Sequence, residues 1–413
     1  MKAKKTFDWI LLGLWVTLIS VGLVAIFSAT QGKFLPHYIH INFYKQLIAC
    51  GLAIGLLASI QYTDPKFFRE GSYLLYGIGL VLMILTLLIG REVNGARSWL
   101  AIGPFNFQTS EFMEVVTILA AAHYLTSQRN ISAENLTHAL ITTTLFLIPT
   151  GLVLLQNDTG TALIFLSLIP VMLFWSGLPY GISLFIISPV IIGYLCLIAW
   201  YWGLIAALSL TGLIFFIQRS KWLTVTSFIC GLLVVVGVQV ALYHVLQPYQ
   251  RGRIKAFTNS NFDPRGAGWN VLQAKTAIGS GGFFGKGFMQ GTQTQLRFLP
   301  EQWTDFIYCV IAEEFGFLGA TVVLLLFLGL LLRLLRSAKN HQNHFAKIVV
   351  VGVTWVFFIN FFINIGSASG LLPVIGLPLP FISYGGSALI TNTFMLAICL
   401  SMDFNKRQLS IYR

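Results

Sequence analysis

Acidic residues are scarce in this chain: its 413 residues include only 14 Asp and Glu, and charged residues of every kind make up 10%. Any acid inside an apolar run is therefore informative. Cysteine is scarcer still. Cys50, Cys196, Cys230, Cys309 and Cys399 each lie in an apolar run, and none shows C-x-x-C spacing. That excludes a disulfide framework and a cysteine-built zinc site. The two H-x-x-H pairs, His37/His40 and His341/His344, have no Cys or acid close by in sequence to complete a metal site. Nucleotide fingerprints are missing too. "IGSGGFFGKGFMQGTQ" has Gly287, not Ser or Thr, after Lys286, and Phe284 where a dinucleotide loop needs its third glycine.

Apolar sequence is abundant: the chain is 56% hydrophobic, with a mean hydropathy of +0.78. Each bilayer crossing needs about 20 mostly apolar residues. Runs of that kind lie near 9–28, 41–60, 72–90, 111–127, 138–156, 161–177, 182–200, 203–218, 223–246, 306–334, 348–370 and 385–402. Lipid cannot satisfy open backbone groups, so the spans must be helices. The expected fold is an all-α polytopic membrane protein of roughly 10–12 transmembrane helices, one integral membrane domain over 1–413. The basic, then apolar, N-terminus reads as a first span with no cleavage pattern.

The net charge of +12 comes from 26 Lys and Arg, most of them in short loops. Membrane orientation explains those, and no nucleic-acid partner is expected. With the N-terminus inside, Lys66, Arg69, Arg129, 219–222, 333–347 and the C-terminal tail all face the cytoplasm. Residues 247–304 then form one large extracytoplasmic loop, with seven basic residues against two acidic, a net of +5. Lipid headgroups would account for that charge. Interleaved glycines favour a polyanion such as a diphosphate, held by Lys286 and bare glycine amides. Two more polar stretches fall outside: 91–112 with Asn94, Arg97 and Trp99, which leads into a span that starts with Glu111 and Glu114, and 156–164 with Asp158; a third stretch, 369–390, has prolines and glycines that forbid a continuous helix. Such backbone at membrane depth must be buried in protein or line a wet cavity. The stretches are expected to converge on one outward cavity.

Five blocks carry a resemblance: "NGARSWL", "DTGTALI", "DPRGAGWNVLQAKTAIGSGGFFGKG", "FLPEQWTDFIYCVIAEEFGFLG" and "NIGSASGLLPVIGLPLPFISYGGSALI". They resemble the SEDS family of membrane glycosyltransferases, in family order over most of the chain. "GTQTQLRFLPE" is similar to the elongation branch, RodA, rather than the division branch, FtsW. The resemblance implies a peptidoglycan glycosyltransferase that polymerises lipid II at the outer face of the bacterial cytoplasmic (inner) membrane during elongation and shape maintenance. It implies a multi-pass protein with both termini in the cytoplasm. It also implies lipid II and an undecaprenyl-linked glycan strand as substrates, a class B penicillin-binding protein as partner, and other elongation-complex proteins nearby. The family's key aspartate falls on Asp305. Departures are Trp303 where His is common, Glu114 where Lys is common, Asn157 where Pro is common, and an extra apolar pair around 180–222.

Asp305 is thus expected to be the general base, taking a proton from the acceptor hydroxyl. Arg97, Arg253, Lys275 and Lys286 are candidates for the diphosphate. A divalent cation, Mg or Mn, would add positive charge; no organic cofactor is expected. Glu111, Asp158, Glu313, Glu314, Ser383 and Tyr384 are expected to support the cavity. Rival readings are a lipid II flippase, which should show inverted repeats and midplane polar groups, and a non-catalytic scaffold for a penicillin-binding protein.

Overall fold

The computed structural model describes residues 7–32, 37–93, 95–103, 105–128, 137–245, 251–252 and 268–406. Ten of its helices are long and apolar enough to cross a membrane. They are α1 (Trp9–Thr30), α2 (His37–Gln61), α4 (Ser72–Ile89), α6 (Thr137–Leu155), α8 (Tyr180–Ile198), α9 (Trp200–Gln218), α10 (Lys221–Val240), α13 (Ile307–Asn340), α14 (His344–Ala368) and α15 (Gly386–Phe404). Two more, α5 (Thr109–Ser127) and α7 (Thr159–Trp175), are more polar or shorter and sit among them. The chain is an all-α polytopic membrane protein. Short helices α3 (Pro65–Glu70), α11 (Trp269–Ser280) and α12 (Thr292–Gln295) lie between spans.

The apolar pattern explains the packing. Nearly every face of α5, α14 and α15 is buried, which polar interruptions in these helices require. Most faces of α8, α9 and α10 carry exposed large apolar residues, as a lipid-facing element should. These three pack on one another around Ile192, Cys196, Ala206, Ala207 and Val235, apart from the main core. Small residues permit that approach: a Cβ at Gly231 would come within 2.9 Å of Ala207 Cβ. The tie from Tyr194 Oη to Leu371 O, 2.8 Å, joins this group to the main body.

One element departs from the all-helical expectation. Residues 91–108 fold as a three-stranded antiparallel sheet: β1 (Arg91–Val93), β2 (Ala96–Ile102) and β3 (Phe105–Gln108). Leu100 pairs with Phe107 and Trp99 with Gln108. β3 runs straight into α5, so the sheet sets where Glu111 enters the bundle.

The second departure is in α13. At 34 residues it is about 51 Å long by helical rise, far more than the ~30 Å hydrocarbon layer. It is also broken. Gly316 has φ 66 and ψ −160, a region open to glycine alone.

Candidate active site

The break at Gly316 leaves helix carbonyls and amides without partners, and the glycine-rich loop after α11 supplies them. The amides of Lys286 and Gly287 donate to Glu313 O and Glu314 O, each at 3.0 Å. In return, Phe317 N donates to Gly282 O (2.9 Å) and Leu318 N to Phe283 O (3.2 Å). A side chain at Gly285 or Gly316 would drive into the opposing backbone. The loop's glycines therefore serve close backbone approach. The expectation that its amides await phosphate is corrected at Lys286 and Gly287, whose amides are given to the helix.

Both glutamates in the segment before the break are buried. Glu313 takes Lys286 Nζ at 2.7 Å, together with the amides of Gln293 (2.9 Å) and Thr294 (3.0 Å), so it also anchors the start of α12. Lys286 Nζ is completed by Ser280 Oγ and Thr292 Oγ1, both at 2.7 Å. Glu314 accepts from Ser28 Oγ on α1, and Gln295 Nε2 bridges the two. Lys286, a candidate for the diphosphate, is thus held by a fixed carboxylate and two hydroxyls.

Asp305 lies in the turn before α13 and is half-buried. Three successive carbonyls of that turn are held from outside it. Tyr384 N donates to Trp303 O at 2.8 Å. Ser383 Oγ donates to Thr304 O at 2.6 Å while accepting Leu379 N at 2.9 Å. Asn364 Nδ2, from α14, donates to Asp305 O at 3.1 Å and Leu377 O at 2.9 Å. These partners belong to the irregular stretch 369–385 or to the helix preceding it. The stretch is pressed against α1, where a Cβ at Gly22 would lie 2.7 Å from Ile382 Cα. It also faces the carboxylate: a Cβ at Gly376 would stand 3.6 Å from Asp305 Oδ2. Lys275 reaches the same stretch from α11, and a Cβ at Gly370 would collide with its Cε.

A second polar chain crosses the same end of the bundle. Ser387 Oγ donates to Glu111 Oε2 at 2.6 Å and accepts Gln108 N at 3.1 Å. Gln108 Nε2 donates to Asp158 Oδ2 at 3.0 Å. Asp158 caps α7 by accepting Thr161 N (3.1 Å) and Thr161 Oγ1 (2.8 Å). Glu114, a turn deeper in α5, is 4% exposed. Asp158 adjoins Asp305's surroundings through Gly160, which packs on Ile375 and Leu377.

Arg97 is exposed. With Leu87, Glu92, Gly95, Leu155 and Asn157 it lines a cavity of about 260 Å³ between the sheet and the α6–α7 turn. Arg253 lies outside the described residues, as do Asn94 and Arg129. Among the described residues no three His, Cys, Asp or Glu side chains are gathered to hold a metal. No step below is routed through one. Sequence reading missed Asn364 and Gln46; Gln46 Oε1 accepts Gly385 N at 3.1 Å. A polar residue amid the apolar run of α14 was the available signal for Asn364.

The family profile of the FtsW/RodA/SpoVE cell cycle proteins matches residues 8–206 and 202–408. The chain is 33% identical to the peptidoglycan glycosyltransferase RodA of Treponema pallidum, over 99% of this chain and 100% of that one. It is 32% identical to the peptidoglycan glycosyltransferase MrdB of Escherichia coli, over 88% and 85%. It is 31% identical to the stage V sporulation protein E of Bacillus subtilis, over 98% and 99%. Among solved structures it superposes on a chain of a peptidoglycan synthase complex that coordinates polymerization and crosslinking. There the TM-score is 0.75 at 27% identity, covering 98% and 99% of the two chains. On Thermus thermophilus RodA the TM-score is 0.63 at 28% identity, covering 97% and 98%.

Proposed function

The chain belongs to the FtsW/RodA/SpoVE family and is a peptidoglycan glycosyltransferase, and we propose that Asp305 is its general base. The observation that carries this is the contrast in how its acids are held. Glu313 is engaged by Lys286 and the start of α12, and the turn of Asp305 is clamped at three successive backbone carbonyls, which sets its carboxylate facing the 369–385 stretch.

In this reading the Asp305 carboxylate removes the proton from the 4-hydroxyl of the acceptor lipid II. The freed oxygen forms a bond to the anomeric carbon of the undecaprenyl-linked strand. The bond to the lipid diphosphate breaks, the diphosphate leaves with the electron pair, and the configuration inverts. An alcohol is a weak nucleophile, so a positioned base contributes roughly 10²–10⁴-fold. Lys275, at the same stretch as Asp305, and the exposed Arg97 are the favoured cations for the leaving diphosphate. Arg253 remains a candidate. Lys286, engaged by Glu313, contributes long-range charge and the shape of the loop. A divalent ion bound with the diphosphate would add charge there.

The protein is a single integral membrane domain with Asp305 facing out, both termini in the cytoplasm and 247–304 as its outer loop. A class B penicillin-binding protein pairs with it to cross-link the product. The similarity to a chain of a polymerization and crosslinking complex supports that pairing. The test is polymerisation of labelled lipid II by the purified protein with that partner. Wild type should yield glycan chains and folded Asp305→Asn none. Polymer from the mutant at the wild-type rate would remove Asp305 as the base.

A further inference from the structure

Asn364 is 1% exposed, deep in the bundle near the end of α14. Its Nδ2 faces two groups, Asp305 O and Leu377 O, and both are acceptors. That fixes the amide orientation, because the flipped group would set its own oxygen against two carbonyls. Its Oδ1 is buried and without a partner among the described residues. Leaving such an atom unsatisfied costs about 1–3 kcal/mol, and an apolar residue of similar shape would avoid that cost. Packing alone does not account for an asparagine here.

The two carbonyls it holds do. One belongs to the turn from which the Asp305 side chain projects. The other, Leu377 O, follows Gly376, the residue that carboxylate faces, with Oδ2 3.6 Å from the Cβ position. A single side chain thus fixes both the base of Asp305 and the wall opposite it. Ser383 makes the parallel tie one residue earlier, from Leu379 N to Thr304 O.

We infer that Asn364, assisted by Ser383, is a positioning residue for Asp305: it sets where the carboxylate stands relative to the acceptor hydroxyl. This rests on the reading of Asp305 as the base. Reaction geometry is unforgiving, and a misplacement of about 1 Å costs on the order of 100-fold.

The experiment uses the full chain with its penicillin-binding partner and labelled lipid II, on Asn364→Leu, Asn364→Ser, Ser383→Ala, Ser383→Thr and Asp305→Asn. Asn364→Leu should lower kcat about 100-fold with KM for lipid II held within about twofold. Asn364→Ser, which keeps one donor, should fall between it and wild type. Ser383→Ala should lower kcat about 10-fold, and Ser383→Thr, which keeps the hydroxyl, should restore it. A general packing role would lower the yield of folded protein and leave kcat per folded molecule alone. Wild-type kcat in Asn364→Leu, beside an inactive Asp305→Asn, overturns the positioning role and spares Asp305. An active Asp305→Asn overturns both. If Asn364→Leu does not fold, wild-type kcat in both Asn364→Ser and Ser383→Ala overturns the inference.

Discussion

Asp305 and Glu313 are eight residues apart at one end of one helix, and the protein treats them in opposite ways. Glu313 has a completely buried side chain, an ion pair with Lys286 and two backbone amides. Its charge is spent on holding the glycine loop and α12 against the broken helix. Asp305 is half-buried, its backbone carbonyl is held by Asn364, and its carboxylate faces the irregular 369–385 stretch. A carboxylate tied through its oxygens organises structure. A turn clamped at its backbone carbonyls sets where the Asp305 carboxylate stands.

The largest effect that separates the two is on turnover. Asp305→Asn should lower polymerisation by about 10²–10⁴-fold with the melting temperature in detergent unchanged. Glu313→Gln should do the reverse: lost stability, with residual activity per folded molecule. Breaking a buried pair costs about 3–5 kcal/mol, and the low end applies here because the Lys286 side chain keeps 24% of its surface exposed. Thermal unfolding of Glu313→Gln beside the double variant Lys286→Met, Glu313→Leu checks this. The double variant should recover part of the loss, since no charge is left unpaired.

Gly316→Ala sharpens the comparison by attacking the break, just after Glu313, that the glycine loop closes. Its φ of 66 and the 2.6 Å approach of a Cβ to Phe283 O leave no room for a methyl. A loss of about 1–3 kcal/mol is expected, visible as a lower melting temperature and faster proteolysis within 281–290.

The smallest effect lies at the opposite, basic end of the bundle. Burial pushes the His341 imidazole from its ordinary 6.5 down to about 4, against the pull of Asp403 and with the push of Lys406. Between those values the unfolded chain binds a proton that the folded chain does not, so stability falls as pH drops from about 6.5 to about 4. His341→Gln should flatten that part of the melting profile without touching polymerisation.

Much of this was legible in the sequence. Apolar runs fixed the spans, because each run is long and the residues between are charged. Asp305 stood out because an acid opening an apolar run is costly unless it has a task. The converging polar stretches were visible too, since their prolines and glycines cannot continue a helix. The sheet at 91–108 was not: its strands are short, and Gly95 and Gly103 read only as loop. Nor was the break at Gly316, which lies inside a stretch that is long and apolar enough to read as one span. Lys286 looked like a phosphate ligand because charge beside glycine has two uses. Its ion pair with Glu313, and its amide's bond across the helix break, became visible only in the structure.

The most direct test measures turnover and melting temperature on the same preparations of Asp305→Asn and Glu313→Gln, each with partner and lipid II. The account predicts that Asp305→Asn melts with wild type and makes no glycan, while Glu313→Gln melts earlier and still polymerises below its transition. A stable, inactive Glu313→Gln beside an active Asp305→Asn would contradict it.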